Sequence, residues 1–350
     1  MGYYIYFHYM KNAYFFNNII LLVMMNNYIS VIVIAHDRKK YIIDAINSVL
    51  NQKLDKNYYE IIVVKNFKDD KIDKFIENNG ITKNYITEEK GVGKKAAIGI
   101  DNSSGDIICF LDDDDMFTEN KLAIVLDAFS KNNGLVYYHN NQIKIDENGK
   151  ILDNPQYNGK MIISDITKKS IAFIFRNFGE FNSSSICIRK EIIDTNMLRK
   201  LDRAVDYFYL LSALKTRREI MLDFSPLTYY RIHKSAMHFL SNTFEEIISS
   251  ACNYYYEQSK AKEVIYEYFK NDSLLAQVIK ADVYTFTAIS AILCNKSKFL
   301  PFKNSIRILD ESIYFPSFRL KLFLASIINL ISNKLARDIY VKMYLRKFYN

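Results

Sequence analysis

The chain has 350 residues, 49% hydrophobic and 25% charged, with a formal net charge of +8. This balance belongs to a folded protein of one large or two modest domains and excludes a disordered chain. Four scattered cysteines without a Cys-x-x-Cys pair indicate neither a zinc site nor a disulfide framework, and they fit a reducing cytoplasm.

The first 27 residues are apolar and aromatic but interrupted by Lys11 and several asparagines. Their clean apolar run, residues 19–25, is too short for a membrane span of about 20 residues. It also lacks the charged, apolar, small-residue order of a signal peptide. Residues 1–27 therefore read as an extension outside the main fold, with Met24 and Met25 as an alternative translation start.

The next element, YISVIVIA over residues 28–35, is a continuous β-branched run of the kind buried on both faces in parallel sheets. After the polar turn HDRKK, Tyr41, Ile42, Ala45, Ile46, Val49 and Leu50 recur at helical spacing. EIIVV (60–64) predicts a second strand, KIDKFIENNG a helix closed by Gly80, and NYIT (84–87) a short third strand. A helix over 93–101 ends at Ser103, Ser104 and Gly105, and DIICFL (106–111) predicts a fourth strand. Strands alternating with helices predict an α/β domain with a mostly parallel sheet. Buried Cys109 and Cys187 read as small core residues.

The fourth strand runs straight into Asp112, Asp113, Asp114 and Asp115. Like charges so close repel, and an ionised carboxylate in a low dielectric needs a proton or a cation. In open α/β sheets ligands bind beyond the carboxyl ends of the strands, so this turn and the His36–Asp37–Arg38 turn share one crevice. The bland reading is a solvated acidic loop capping the helix near Glu119. Four aspartates directly after a core strand favour a site for a hard divalent cation, Mg2+ or Mn2+, with a substrate diphosphate.

SVIVIAHDR, IIDAINSVLNQ, EIIVVKN and KGVGKKAAIGIDNSSGDIICFLDDDDMFTENKL, in that order, resemble the family 2 inverting glycosyltransferases of the GT-A fold. Weaker likeness follows at FNSSSICIRKEI, LDRAVDYFYLLSAL and SPLTYYRIHKSA, so residues 29–240 are covered. The resemblance implies a GT-A domain over 28–240. Its nucleotide-sugar half would span 28–135, its acceptor half 136–240, and a helical basic region 241–350 would follow. It implies a donor cradle of Ala35, His36, Asp37 and Arg38, with Lys65 and Asn66 in the next turn, and Asp112 and Asp113 toward the sugar or ribose. Asp114, with Asp112 and His233, would hold the metal, and Arg231 would close over the diphosphate. Asp206 matches the acidic general base. Two departures stand out: Lys65, Asn66 and Phe67 replace the usual aspartate of the second turn, and Lys95, Ala96 and Ala97 replace an Ala-Arg-Asn segment.

Independently of resemblance, Asp206 sits among Val205, Tyr207, Phe208, Leu210 and Leu211, a setting that raises a carboxyl toward useful basicity. Asp202, one turn earlier, competes for the role, and a helix-surface aspartate is the bland alternative. His233 reads equally as a structural histidine. Ser183, Ser184 and Ser185 read either as acceptor contacts or as a polar turn before a strand over 186–188. No Gly-x-Ser-x-Gly and no phosphate-binding loop of Walker spacing occurs.

Residues 241–295 predict two helices. All the positive excess lies in residues 296–350, with 11 Lys and Arg against 3 Asp and Glu, so residues 1–295 balance. The body thus has no basic footprint for nucleic acid. In the tail Leu320, Phe323, Leu324, Ile327, Ile331, Leu335 and Ile339 form one helical stripe flanked by Lys321, Lys334, Arg337, Lys342, Arg346 and Lys347. Two readings stand: a surface lying on the inner face of the cell membrane, or packing on the body or a second subunit. The function expected is transfer of a sugar from a nucleotide-diphosphate donor to a glycan or lipid-linked hydroxyl. The alternative is a non-catalytic module of the same fold that binds the nucleotide sugar.

Overall fold

The structure, a computed structural model, describes residues 27–233, 243–310 and 314–342. The expected extension lies outside them apart from Asn27, which is buried and donates to Ser130. Arg346 and Lys347 of the expected tail also lie outside.

Chain order begins β1 (Ile29–Ala35), α1 (Ile42–Leu50), β2 (Tyr59–Lys65), α2 (Asp70–Asn78), β3 (Lys83–Ile86), α3 (Val92–Asp101), β4 (Ile107–Asp112), β5 (Met116–Phe117) and α4 (Lys121–Lys131). Then follow β6 (Leu135–Ile145), β7 (Ile151–Asp153), β8 (Lys160–Ile163), α5 (Lys168–Arg176), β9 (Ile186–Arg189), α6 (Thr195–Leu198), α7 (Val205–Lys215) and β10 (Glu219–Arg231). The chain continues with α8 (Phe244–Phe269), α9 (Ser273–Leu293), α10 (Phe299–Arg307), α11 (Pro316–Ile331) and α12 (Asn333–Tyr340).

One sheet runs β3-β2-β1-β4-β9-β6-β10-β5. The first four strands are parallel, β9 runs antiparallel to both neighbours, and β6 and β10 are again parallel. The run expected to be buried on both faces is so. Val31 and Val33 join the core with Ala45, Val49, Leu122 and Phe129 on one face. Ile32 and Ile34 join the core with Ala96, Ile100, Phe208 and Leu211 on the other. That second core continues through Ile265, Leu275 and Ile279, so α8 and α9 share it with the sheet and do not form a separate body.

Two expectations are corrected. The cysteines pair as Cys109–Cys187 and Cys252–Cys294. Cys109 and Cys187 are buried core residues as expected, but they face each other across the β4–β9 ladder, a proximity that strand order hides. The cysteine argument for a reducing compartment therefore falls. The tail stripe is not one helix: it breaks at Ser332, which caps α12, and Leu320, Leu324, Ile331 and Leu335 are exposed. Among the described residues no helix is long and apolar enough to cross a membrane.

Candidate active site

β4 delivers the four aspartates to the carboxyl edge of the parallel strands, beside the turn that follows β1. The two turns are knitted together. Asp113 accepts from the His36 backbone N–H at 3.1 Å and pairs with Arg38 at 2.6 Å, and Arg38 also bridges to Asp114. β5 then pairs antiparallel with β10 through Met116–Tyr229 and Phe117–Thr228, which carries Arg231 and His233 onto the acidic turn. His233 Nε2 lies 2.8 Å from Asp114 Oδ2, and Arg231 donates its backbone N–H to Asp115 (3.0 Å) and its Nε–H to the Asp114 carbonyl (2.9 Å).

A buried polar platform fixes the turn from below. Asn182 donates to Asp115 at 2.9 Å, and Ser184 Oγ accepts the Asp112 N–H at 3.0 Å. The ammonium of Lys121, fully buried, donates to the Ser184 carbonyl and to Thr228 (2.9 Å) and lies 3.9 Å from the centroid of the Phe117 ring. Burial drives Lys121 well below the usual lysine range. Ser183, Ser184 and Ser185 form a buried 3-10 turn before β9, and Ser183 also lines the cavity described below.

Electrostatics resolve the crowding of four acids. Burial pushes Asp113 and Asp115 up to about 7, with Asp114 adding to both, and burial with its three neighbours drives Asp112 well above the carboxylate range. Asp114 is buried too, but the hydrogen bond from His233 and the Arg38 charge outweigh burial and hold it below that range. Asp114 is thus the standing anion, and its neighbours are short of positive charge. Asp112, Asp114 and Asp115 each offer an oxygen within 4.8 Å of one another. An all-oxygen, charge-deficient set of this kind fits Mg2+ or Mn2+. Asp115 joins this set, whereas His233, expected there as a ligand, stands as the partner of Asp114.

A cavity of about 960 Å3 opens over the turn. Of the expected site residues, His36, Arg38, Asp112, Asp114 and Asp206 line it. Ala35, Asp37, Lys65, Asn66, Asp113, Arg231 and His233 are not on its lining. Lys65 is committed elsewhere: its buried Nζ pairs with Asp73 at 2.7 Å and donates to the Phe67 carbonyl at 2.9 Å. Asn66 exchanges two hydrogen bonds with Asp37, both 2.8 Å. Lys95, almost wholly buried, reaches the cavity with Nζ 2.6 Å from His36 Nδ1, and burial lowers it to about 8.

Asp206 lines the cavity from the first turn of α7. Gly93 sets that side: a Cβ there would stand 2.2 Å from the Leu198 carbonyl and 2.4 Å from that of Leu201, so only glycine lets α3 dock on this segment. Ala204, in the left-handed conformation at φ 58°, turns the chain into α7, placing Asp206 in its first turn. Asp202 also lines the cavity, but it precedes the helix and is exposed. Burial raises the Asp206 carboxyl, opposed by backbone N–H groups and by Lys262. Glu180 lies in the same field, pushed up to about 8 by burial, with Oε2 lacking a hydrogen-bond partner among the described residues. Tyr254, Glu257 and Gln258 of α8 complete the wall. Sequence reasoning missed them, and their helix carries no local signal of a site.

Residues 30–194 match the family model described as Glycosyl transferase family 2. An uncharacterised glycosyltransferase of Rickettsia bellii is 33% identical over 129 residues, 36% of this chain and 18% of that protein, so the chain spans about a fifth of that relative. The amylovoran biosynthesis glycosyltransferase AmsB of Erwinia amylovora is 25% identical over 277 residues, 74% of this chain and 81% of that protein. Among solved structures, S. aureus TarS 1-349 in complex with UDP-GlcNAc superposes with a TM-score of 0.55 at 17% identity, covering 90% of this chain and 92% of that one, a likeness of fold. The acidic turn at the carboxyl edge of the parallel strands lies within the segment that matches glycosyl transferase family 2, and the chain has the GT-A fold.

Proposed function

We propose that the enzyme moves a sugar from a nucleotide-diphosphate donor to a hydroxyl of a glycan or lipid-linked saccharide, with inversion and with Mg2+ or Mn2+ at the acidic turn. One observation carries the reading: Asp112 and Asp114 line the same cavity as Asp206, whose carboxyl burial raises, so the acidic turn and a candidate base face one space. The TarS structure holding UDP-GlcNAc supports a nucleotide-sugar donor, and AmsB, named for amylovoran biosynthesis, supports a polysaccharide acceptor.

In this reading Ala35, His36, Asp37 and Arg38 frame the nucleotide, with Lys65 and Asn66 behind them. Asp112 orients the sugar or ribose with Asp113 behind it, holding Arg38, and Arg231 secures the turn that faces the diphosphate. Asp114 and Asp112 hold the cation, with Asp115 beside them and His233 orienting Asp114. When bound, the cation supplies charge that stabilises the leaving diphosphate. Asp206 accepts the acceptor hydroxyl proton as that oxygen bonds to the anomeric carbon. The bond from that carbon to the diphosphate oxygen breaks, and the nucleoside diphosphate leaves with the electron pair. Attack opposite the leaving group inverts the centre. A lipid-linked acceptor would bring the enzyme to the cytoplasmic face of the cell membrane through its basic C-terminal region.

A second reading, a module that binds the nucleotide sugar without turnover, draws on Lys65, which is locked to Asp73 where the family keeps an acid. The deciding experiment measures nucleoside diphosphate released from a panel of nucleotide sugars, with Mn2+ or chelator, for wild type, Asp114→Ala and Asp206→Asn. Metal-dependent release from one donor, lost in both variants, is expected. Metal-dependent binding without release, even when acceptors are added, would favour the module, and absence of any binding would overturn both readings.

A further inference from the structure

The last helices leave large apolar side chains exposed while burying several polar ones. α11 buries Leu322, Ala325, Ser326 and Asn329. It exposes Leu320 (54%), Leu324 (49%) and Ile331 (80%). At about 100° per residue, positions 320, 324 and 331 fall within about 40° of one another, opposite the buried four. The buried polar groups are spoken for: Ser326 is 2.7 Å from Ser305 Oγ, and Asn329 donates to the carbonyls of Ser297 and Lys298 at 3.1 Å. α10 repeats the pattern. It buries Pro301, Asn304 and Ser305 and exposes Phe299 (75%) and Ile306, with Lys303 and Arg307 on the same side. A helix packed on a body ordinarily buries its leucines and shows its asparagines.

The rim is basic. Lys296, Lys298, Lys303, Arg307, Lys321 and Lys334 are exposed, and Asp310 is the exposed acid among the described residues of 296–342. We infer that this face rests on an anionic lipid bilayer, with Phe299, Leu320, Leu324 and Ile331 entering the headgroup boundary and the lysines meeting lipid phosphates. Apolar ridge and cationic rim together match that boundary. A second copy would set the same basic rim against itself. Residues 1–26 contain no acid, so they offer the rim no counter-charge. The inference deepens the membrane contact proposed above and does not depend on sugar transfer.

The test is sedimentation of the full chain with vesicles of phosphatidylcholine alone or of equal parts phosphatidylcholine and phosphatidylglycerol. Binding only to the anionic vesicles is expected, weakened by salt. Leu324→Ser with Ile331→Ser should weaken it at least about tenfold, and Lys321→Gln with Lys334→Gln about fivefold per lysine. The thermal midpoint and nucleoside diphosphate release without vesicles should not change. No binding to either vesicle would overturn the membrane contact itself. Binding that ignores the leucine and isoleucine changes would leave the contact but sink this face as its seat. A dimer in solution that the same changes dissociate would show that a second copy covers it.

Discussion

Replacing Lys262 with methionine tests how the C-terminal helices bear on Asp206, the proposed base. Lys262 of α8 lies 2.9 Å from Asp282 of α9, with the two side chains only 5% and 7% exposed. Its Nζ sits 3.3 Å from the centroid of Tyr207, the residue after Asp206, and 4.7 Å from that of Phe286. Asp282 also accepts from the Tyr314 hydroxyl. Removing one member of a buried pair strands the other, a cost of about 3–5 kcal/mol. Because Tyr314 still serves Asp282, about 3 kcal/mol is expected for Lys262→Met. The doubly apolar Lys262→Met, Asp282→Leu protein should recover most of it, giving a coupling energy of about 2 kcal/mol or more. The Lys262 charge also opposes the burial that raises Asp206, so its loss raises that carboxyl further. In the proposed mechanism the carboxylate is the active form, so the acid limb of the rate profile should move to higher pH. Urea unfolding of the four proteins and pH profiles of nucleoside diphosphate release read both effects. Single-variant costs below about 1 kcal/mol that simply add, with an unmoved acid limb, would refute the reasoning.

Asp206→Asn should lower turnover at least about a hundredfold with little change in donor KM; a wild-type acid limb at the ordinary carboxylate position of about 4 would argue against a raised Asp206 as the proposed base. Asp114→Ala should abolish stimulation by Mn2+, read as diphosphate release with and without chelator, and retained stimulation would place the cation elsewhere. Gly93→Ala should cost about 1–3 kcal/mol through contact with the carbonyls of Leu198 and Leu201, visible as a lower thermal midpoint. Thiol titration of denatured, unreduced protein should find no free cysteine. The Cys252–Cys294 bridge, closing 42 residues, should contribute roughly 4 kcal/mol that reductant removes; four free thiols would contradict the pairing.

The strands that build the site were legible because each is a continuous apolar run whose burial on both faces demands sheet neighbours. Residues 29–35, 59–65 and 107–112 differ from their predicted ends by a residue or so. The acidic turn was legible too, since no arrangement of four adjacent carboxylates after a core strand is electrostatically quiet. What surrounds that turn was not. Asp115 gained its place through Asn182 and the Arg231 N–H, partners 67 and 116 residues away. Lys121, an ordinary surface lysine by sequence, became a buried strut because Thr228 and the Ser184 carbonyl close over it. Chain order likewise hid the Cys109–Cys187 contact, which exists because β9 runs antiparallel beside β4.

The tail makes the same division plain. Its amphipathic stripe and its net charge are properties of side-chain order, fixed whatever the fold does with them. Which face turns inward is a competition among surfaces. Here Ser326 and Asn329 find hydrogen-bond partners on the neighbouring segment, so the face carrying Leu322, Ala325, Ser326 and Asn329 packs inward and Leu320, Leu324 and Ile331 face out. Local sequence determines what each element can bury. Long-range contacts decide what it does bury, because the free energy of packing depends on the partner surface as much as on its own.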